Sequence, residues 1–242
     1  LRRRRRQAAQ EVDLEHVKAC QRRFLERMED EVKGYQLETC FGSNGCPNRV
    51  VVSDAIFRRV EGMLEKRRLR SFLKERVTGP LKMHHEFCIS ISDCPNACSR
   101  PQIADIGVIG SQMPGVSHEP CSQCMACVEI CRERAISTQG IGESPAIDWD
   151  LCLGCGQCLK VCPTGTLQES EAGYRILVGG KLGRHPRLGN ELSGIFREDQ
   201  LVGAVERCVV FYEAHCLTGE RLGEILNREG FSLLLEDVTA KR

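Results

Sequence analysis

"FCISISDCPNACSRP", residues 87–101, alternates apolar and polar side chains over six positions and then sets Cys94 and Cys98 in a turn-rich loop. Alternation of period two marks a half-buried strand, so the stretch reads as strand 87–92 delivering the chain to a loop that carries thiols. Cys88 lies in the strand itself. A denser set, "CSQCMACVEIC", begins only twenty residues later at Cys121.

The chain of 242 residues holds sixteen cysteines. Disulfide scaffolds of that density are mostly short secreted chains, and no apolar leader with a cleavage site is evident, so the thiols read as metal ligands in a reducing cytoplasm. No apolar run approaches the length of a membrane span, and the expectation is no direct membrane insertion, with any membrane link made through a partner. Formal charge is +1, from 34 basic against 33 acidic side chains. That balance, with few aromatics to stack on bases, argues against nucleic acid as a partner. The opening "LRRRRR" reads as a solvated helix face or tail.

Outward from the strand, residues 7–33 have a partial apolar stripe and read as a charged helix stopped by Gly34. "CFGSNGCPN" from Cys40 is a compact loop, "RVVVSD" after it a short strand, and Asp54 to Val77 one amphipathic helix. "IADIGVIG" and "YRILVGG" read as two further strands. Between them, 115–170 changes composition to cysteines, small residues and turns, as a module inserted between two strands of a larger α/β unit would. "GGKLGRHPRLGNEL" is a basic, glycine-rich loop, and helices over about 198–214 and 219–229, the second stopped by Gly230, close the chain. The division expected is 1–38, a charged helix; 39–114 and 171–242, two parts of one α+β host domain; and 115–170, the insert.

Within the insert the spacing C-x2-C-x2-C-x3-C occurs twice, at Cys121, Cys124, Cys127, Cys131 and at Cys152, Cys155, Cys158, Cys162, the second run followed by Pro163. This resembles the two-cluster bacterial ferredoxins over about fifty-five residues, in which three thiolates of each run and the fourth of the other hold a 4Fe-4S cube. The resemblance implies Cys121, Cys124 and Cys127 with Cys162, and Cys152, Cys155 and Cys158 with Cys131. A zinc site would need only four cysteines and does not ask for a doubled run. Arg132 departs from the proline that often follows the fourth cysteine and removes no ligand.

Outside the insert, Cys40 and Cys46 are spaced C-x5-C and Cys94 and Cys98 C-x3-C, the latter within "CPNACSRP". With "YRILVGGKLGRHPRLGNEL" and "GERLGEIL", these residues resemble the sirohaem and 4Fe-4S family of sulfite and nitrite reductases over about 39–230. The resemblance implies a sirohaem-reductase-like α/β domain and a third 4Fe-4S cluster on Cys40, Cys46, Cys94 and Cys98, with Cys98 shared with a sirohaem iron. Since Cys88 and Cys94 are also spaced C-x5-C, a swapped ligand set is an alternative to Cys88 as a buried bystander. Arg100, Lys181 and Arg184 become candidates for neutralising a small oxyanion substrate, and the same three with Arg187 for binding the carboxylates of sirohaem. His84 and His85 are candidate proton donors, Cys20 and Cys208 small hydrophobes on helix faces, and His215–Cys216 a structural pair.

Reductases of this family carry a further α/β half before the first cysteine motif, whereas only 39 residues precede Cys40 here. That half is absent, lies upstream of Leu1, or comes from another subunit. Two functions follow: a sulfite or nitrite reductase subunit with sirohaem and three clusters, or a non-catalytic electron-transfer subunit that keeps the clusters without the haem. Either expects redox partner subunits, including an electron donor.

Overall fold

A computed structural model describes residues 32–138, 140 and 143–239 of the protein. The expectations for the arginine run, the N-terminal helix and Cys20 lie outside the described residues. The strands are β1 (Tyr35–Thr39), β2 (Phe87–Ser92), β3 (Ile106–Val116), β4 (Ile136–Ser137), β5 (Ala146–Ile147), β6 (Leu167–Val178) and β7 (Asn190–Glu191). The helices among the described residues are α1 (Asp54–Lys66), α2 (Leu69–Arg76), α3 (Ala126–Ile130), α4 (Gln157–Val161), α5 (Glu198–His215), α6 (Leu222–Glu229) and α7 (Phe231–Thr239). Five strands make one sheet in the order β1-β2-β3-β6-β7, and β4 pairs with β5 in a separate hairpin. The first three strands are parallel; β6 and β7 run antiparallel to their neighbours.

The alternation read in 87–92 sorts the two faces of this sheet. Phe87, Ile89 and Ile91 share one core with Ile106, Val108, Tyr174, Ile176 and Val178, and that core is closed by α1 (Ile56, Val60, Leu64) and α5 (Leu201, Val205, Cys208, Tyr212). Burying such side chains supplies about 1.5–3 kcal/mol each before conformational entropy is counted. The serines on the other face are not in water. Ser90 and Ser92 are buried because the chain returns over them between β2 and β3: Ser90 Oγ donates to Ser99 O (2.6 Å), Ser92 Oγ pairs with Ser99 Oγ (2.7 Å), and Ser99 Oγ donates to Ile91 O (2.8 Å). Gly107 admits this return, since a Cβ there would stand 2.1 Å from Pro101 O.

Several expectations change. "RVVVSD" is not a strand; its Val50 and Val51 N–H groups both donate to Asp93 O, so it lies against the end of β2 as a strap. The helix expected over 54–77 breaks at Arg68, which adopts φ 51°. Arg67 beside it is held by Glu206 (2.8 Å) and Glu213 (3.0 Å) of α5, a tertiary pull that local periodicity does not register. β1 was not expected; its five residues, "YQLET", gain their pairing only from β2. The final helix α7 follows Gly230, so the expected stop separates two helices. β3 and β6 are longer than read and pair from Ile106↔Val178 to Val116↔Leu167, past the boundaries drawn at 114 and 170.

At the far end of β2, Asp105 is fully buried and accepts from Arg221 Nη2 (2.5 Å), Arg221 Nε, Leu222 N (3.1 Å) and Cys88 N (2.8 Å). One carboxylate therefore ties β2 to the first turn of α6. Burial and Asp105 act in opposite directions on Arg221, and the carboxylate prevails, so the guanidinium is held charged above its ordinary range. Breaking a buried pair from one side costs about 3–5 kcal/mol because the remaining charge is stranded. Arg221→Met is expected to lower the midpoint of thermal unfolding by about 10 °C, read by circular dichroism; a midpoint unchanged from the parent would show that the pair does not hold α6.

Candidate metal centres

The two cysteine runs fold alike. Cys121 to Cys131 ends in α3 and Cys152 to Cys162 in α4, each helix five residues long with the fourth cysteine of its run as C-cap. In each run the two residues before the second and third cysteines with special backbone are left-handed: Gln123 (φ 60°) and Met125 (φ 62°) in the first, Gly154 (φ 67°) and Gly156 (φ 63°) in the second. Four left-handed residues in two short loops turn the thiols of each run inward. A non-glycine residue bears a cost of roughly 1–2 kcal/mol in that conformation, and Gln123 offsets part of it by donating to Gly140 O (2.6 Å) and Glu143 O (3.1 Å).

The fourth cysteines cross over. One cavity is lined by Cys121, Cys124, Cys127 and Cys162. The other, of about 170 Å³, is lined by Cys152, Cys155, Cys158 and Cys131. Each cavity thus takes three cysteines from one run and the fourth from the other. The segment has a small core of its own around Cys127, Ile136, Cys158 and Leu167. Among the described residues no three His, Cys, Asp or Glu side chains converge on a point where a single ion would sit.

The remaining four candidates meet at the end of β2. Cys40 follows β1 and opens the 3-10 turn Phe41–Asn44, with its own N–H on Ile91 O (2.9 Å). Cys94 follows β2 and is buried, whereas Cys98 is exposed. Burial pushes the Cys94 thiol above its ordinary value against a backbone donor from Asn96, and Cys40, Cys46 and Cys98 each lie close enough to Cys94 to push it further. Gly42 fits beneath this loop because a Cβ there would stand 2.2 Å from Asp93 Oδ2.

The direction of hydrogen bonding divides the thiols. Cys40 Sγ accepts from Gly42 N (3.3 Å) and Asp93 N (3.2 Å), Cys121 Sγ from Gln123 N (3.4 Å), Cys131 Sγ from Ala135 N (3.3 Å) and Cys162 Sγ from Leu167 N (3.4 Å). Backbone donors aimed at sulfur favour the thiolate, the ligating form. Cys88 Sγ instead donates to Glu86 O (3.4 Å), and Cys216 Sγ to Glu220 O (3.6 Å). Burial, outweighing Arg221, raises Cys88 to about 11, and burial raises Cys208 to about 12. Cys88 lies at the start of β2, a strand's length from Cys94, and the swapped ligand set is not what the fold assembles. Burial also raises Cys127 and Cys152, and takes Cys158 to about 12; at Cys162 it is outweighed by donors from Leu167, Thr164 and Gly165, and the thiol is lowered.

Of the basic candidates, Arg100 is exposed in a left-handed conformation just beyond Cys98, and Arg184 is exposed at the tip of the glycine-rich loop. Lys181 and Arg187 face each other across the base of that loop, their backbones bonded in both directions at 2.9 Å. Their side chains are held by α6: Lys181 Nζ on Glu224 (2.5 Å), Arg187 Nη1 on Gly223 O (2.5 Å) and Asn227 (2.8 Å). Gly189 N donates to Gln102 O (2.8 Å), which docks the loop against the segment after Arg100. His84 and His85 sit before β2, at the opposite end from Cys94, and meet edge to face with ring centroids 4.1 Å apart and planes at 63°. Burial, His84 and Lys82 lower His85. Six strand residues at about 3.3 Å each separate them from the thiol set, so a proton-donor role there loses its geometry. His215 stacks on Phe211, and Cys216 is buried beneath, a structural pair as expected. Sequence reasoning did not find Asp93, whose N–H reaches Cys40 Sγ, whose carbonyl holds the 50–51 strap and whose carboxylate takes Ser53 Oγ (2.5 Å); no spacing rule would have singled it out.

The geometry can be set beside known proteins. The chain is 32% identical over 201 residues to the coenzyme F420-dependent sulfite reductase of Methanocaldococcus jannaschii, covering 82% of this chain and 30% of that one. It is 28% identical over 163 residues to the beta subunit of the dissimilatory-type sulfite reductase of Nitratidesulfovibrio vulgaris, covering 59% and 43%. It therefore spans less than half the length of either relative. The crystal structure of dissimilatory sulfite reductase I shares the fold, with TM-score 0.58 at 21% identity over 86% of this chain and 52% of that one. The family described as the nitrite and sulphite reductase 4Fe-4S domain matches residues 36–242. From the paired cysteine motifs of the sheet domain to α7, this chain belongs to that family.

Proposed function

We propose that this chain is the cluster-bearing part of a sulfite reductase, in which residues 115–170 form an inserted two-cluster ferredoxin module that feeds a third cluster in the host sheet domain. The observation that carries the proposal is the arrangement of twelve thiols in three groups, two of them exchanging their fourth member across the doubled run. Four sulfurs around a cavity, with backbone N–H groups aimed at them, suit a 4Fe-4S cube, whose potential is set by such hydrogen bonds. The ligand sets are Cys121, Cys124, Cys127, Cys162; Cys152, Cys155, Cys158, Cys131; and Cys40, Cys46, Cys94, Cys98.

Reducing sulfite to sulfide takes six electrons, and sirohaem supplies an iron on which that chemistry proceeds. The chain's own contribution is placement and charge. Cys98 is the exposed thiol of its set, free on its outer side to be shared with a second iron, and Arg100 stands two residues on. Lys181 and Arg187 spend their charge on α6 and act as struts of the glycine-rich loop; Arg100 and Arg184 are left to meet the carboxylates of sirohaem or the oxyanion. The names of the relatives favour sulfite over nitrite. A covering half, an electron donor and other redox subunits would come from outside the described residues, and the enzyme would work in the cytoplasm; no helix among the described residues is long and apolar enough to cross a membrane.

Protein isolated without oxygen is expected to carry about twelve cluster iron and about twelve acid-labile sulfide per chain, seen as a broad visible shoulder, with one further iron in the sirohaem whose sharp bands are superimposed on it. The shoulder without the bands, in protein supplied with sirohaem, would turn the reading to a non-catalytic electron-transfer subunit. Cys40→Ala combined with Cys94→Ala should lower cluster iron to about eight per chain, while Cys88→Ala leaves it at about twelve; equal losses in the two variants would overturn the third ligand set.

A further inference from the structure

Although the two cysteine runs share a backbone, they differ in what surrounds them. Gly154 and Gly156 occupy the places of Gln123 and Met125, and the reason lies in β3. A Cβ on Gly154 would stand 2.1 Å from Ser111 Oγ and 2.7 Å from Met113 Sδ, and one on Gly156 would stand 2.1 Å from Gln112 Oε1. Gln112 N donates to Gly154 O at 2.7 Å, and Gln112 bridges to Cys155 as a strand partner would. The second run is thus pressed onto the host sheet, backbone to backbone. Among the described residues the first run has no such neighbour: the cavity of Cys121, Cys124, Cys127 and Cys162 is lined there by residues between 121 and 166, Cys124 is exposed, and Met125 is 40% exposed.

On its other side the second site meets the thiol set of the sheet domain. Its cavity is closed by Asn48, Cys94, Pro95 and Asn96, so Cys94 is a wall shared with Cys152, Cys155 and Cys158. Lys160 of α4 donates to Pro47 O (3.2 Å), clamping the same joint to the loop that carries Cys46. Nothing comparable links the first run to Cys40, Cys46, Cys94 or Cys98 among the described residues.

Electron tunnelling falls steeply with distance, so shared walls decide a route. We propose that, granted the three clusters argued above, electrons cross this chain in one order: in at the Cys121/Cys124/Cys127/Cys162 site, on to the Cys152/Cys155/Cys158/Cys131 site, and across the Cys155–Gln112 and Cys94 joint to the Cys40/Cys46/Cys94/Cys98 site. Each transfer oxidises one site and reduces the next by a single electron, and an external one-electron reductant protein refills the first at the face carrying Cys124 and Met125. The glycine pair marks the inner site of the relay.

Magnetic coupling between reduced clusters also falls steeply with separation, which allows a test that needs no turnover. The full chain, reconstituted and reduced without oxygen, would be compared by electron paramagnetic resonance with three variants: Cys121→Ala with Cys124→Ala, Cys152→Ala with Cys155→Ala, and all four together. The fourfold variant, with about four iron left, supplies the spectrum of the host site alone. That spectrum should reappear unbroadened in the Cys152/Cys155 variant and stay broadened in the Cys121/Cys124 variant; the reverse pattern, or the same width in both, would overturn the order. If the fourfold variant shows no cluster signal at all, it is the third ligand set that fails, not the order. Gly154→Ala keeps every cysteine and should narrow the host signal with iron still near twelve; an unchanged width there would sink the joint on β3.

Discussion

The antiparallel pairing of β3 with β6 is the constraint on which the molecule turns. Its register from Ile106↔Val178 to Val116↔Leu167 completes the sheet at one end and clasps both ends of the cysteine-rich segment at the other. A connection between adjacent antiparallel strands can be of almost any length at modest entropic cost, since closure grows only slowly with loop size. Fifty residues can therefore hang from this hairpin without disturbing the layer that packs on the helices. The same strand presents Ser111, Gln112 and Met113 to Gly154 and Gly156, so the clasp also sets the distance between the segment and the host.

The second constraint is the polar face of the sheet. A parallel crossover from β2 to β3 normally runs through a helix, but here it is a cysteine-bearing loop that lies flat, held by hydroxyls of Ser90, Ser92 and Ser99. Small residues make this possible. Gly107 and Gly110 let the loop and Asp93 approach the strand, and Asp105 at the loop's end anchors α6 through Arg221. The helix so anchored holds Lys181 and Arg187, and through them the basic loop beside Arg100. Core, crossover and basic loop form one chain of contacts from the buried carboxylate to the surface where Arg100 and Arg184 are exposed.

The thiols themselves show how fold and chemistry divide the work. Backbone N–H groups cannot be moved by side-chain rearrangement, so bonds from Gly42, Asp93, Gln123, Ala135 and Leu167 to sulfur are part of the main-chain path. Donors fixed in this way would tune the potential of a cluster held by these sulfurs. The cysteines that donate outward, Cys88 and Cys216, sit where the chain offers carbonyls.

The doubled spacing and the strand at 87–92 were legible in the amino-acid order, because ligand spacing and side-chain alternation are local periodicities that survive without neighbours; the exchange of fourth cysteines was expected only through the resemblance to two-cluster ferredoxins. So was the pairing of C-x5-C with C-x3-C, through its resemblance to the reductase family. Other features were decided only by the tertiary structure: the strand β1, stable solely against β2; the break at Arg68, pulled by two glutamates of α5; the neutralisation of Lys181 by Glu224; and the nearness of Cys94, not Cys88, to the second cysteine run. Each of these depends on partners between 43 and 146 residues away in the chain, and contacts that are created by chain return leave no period to read.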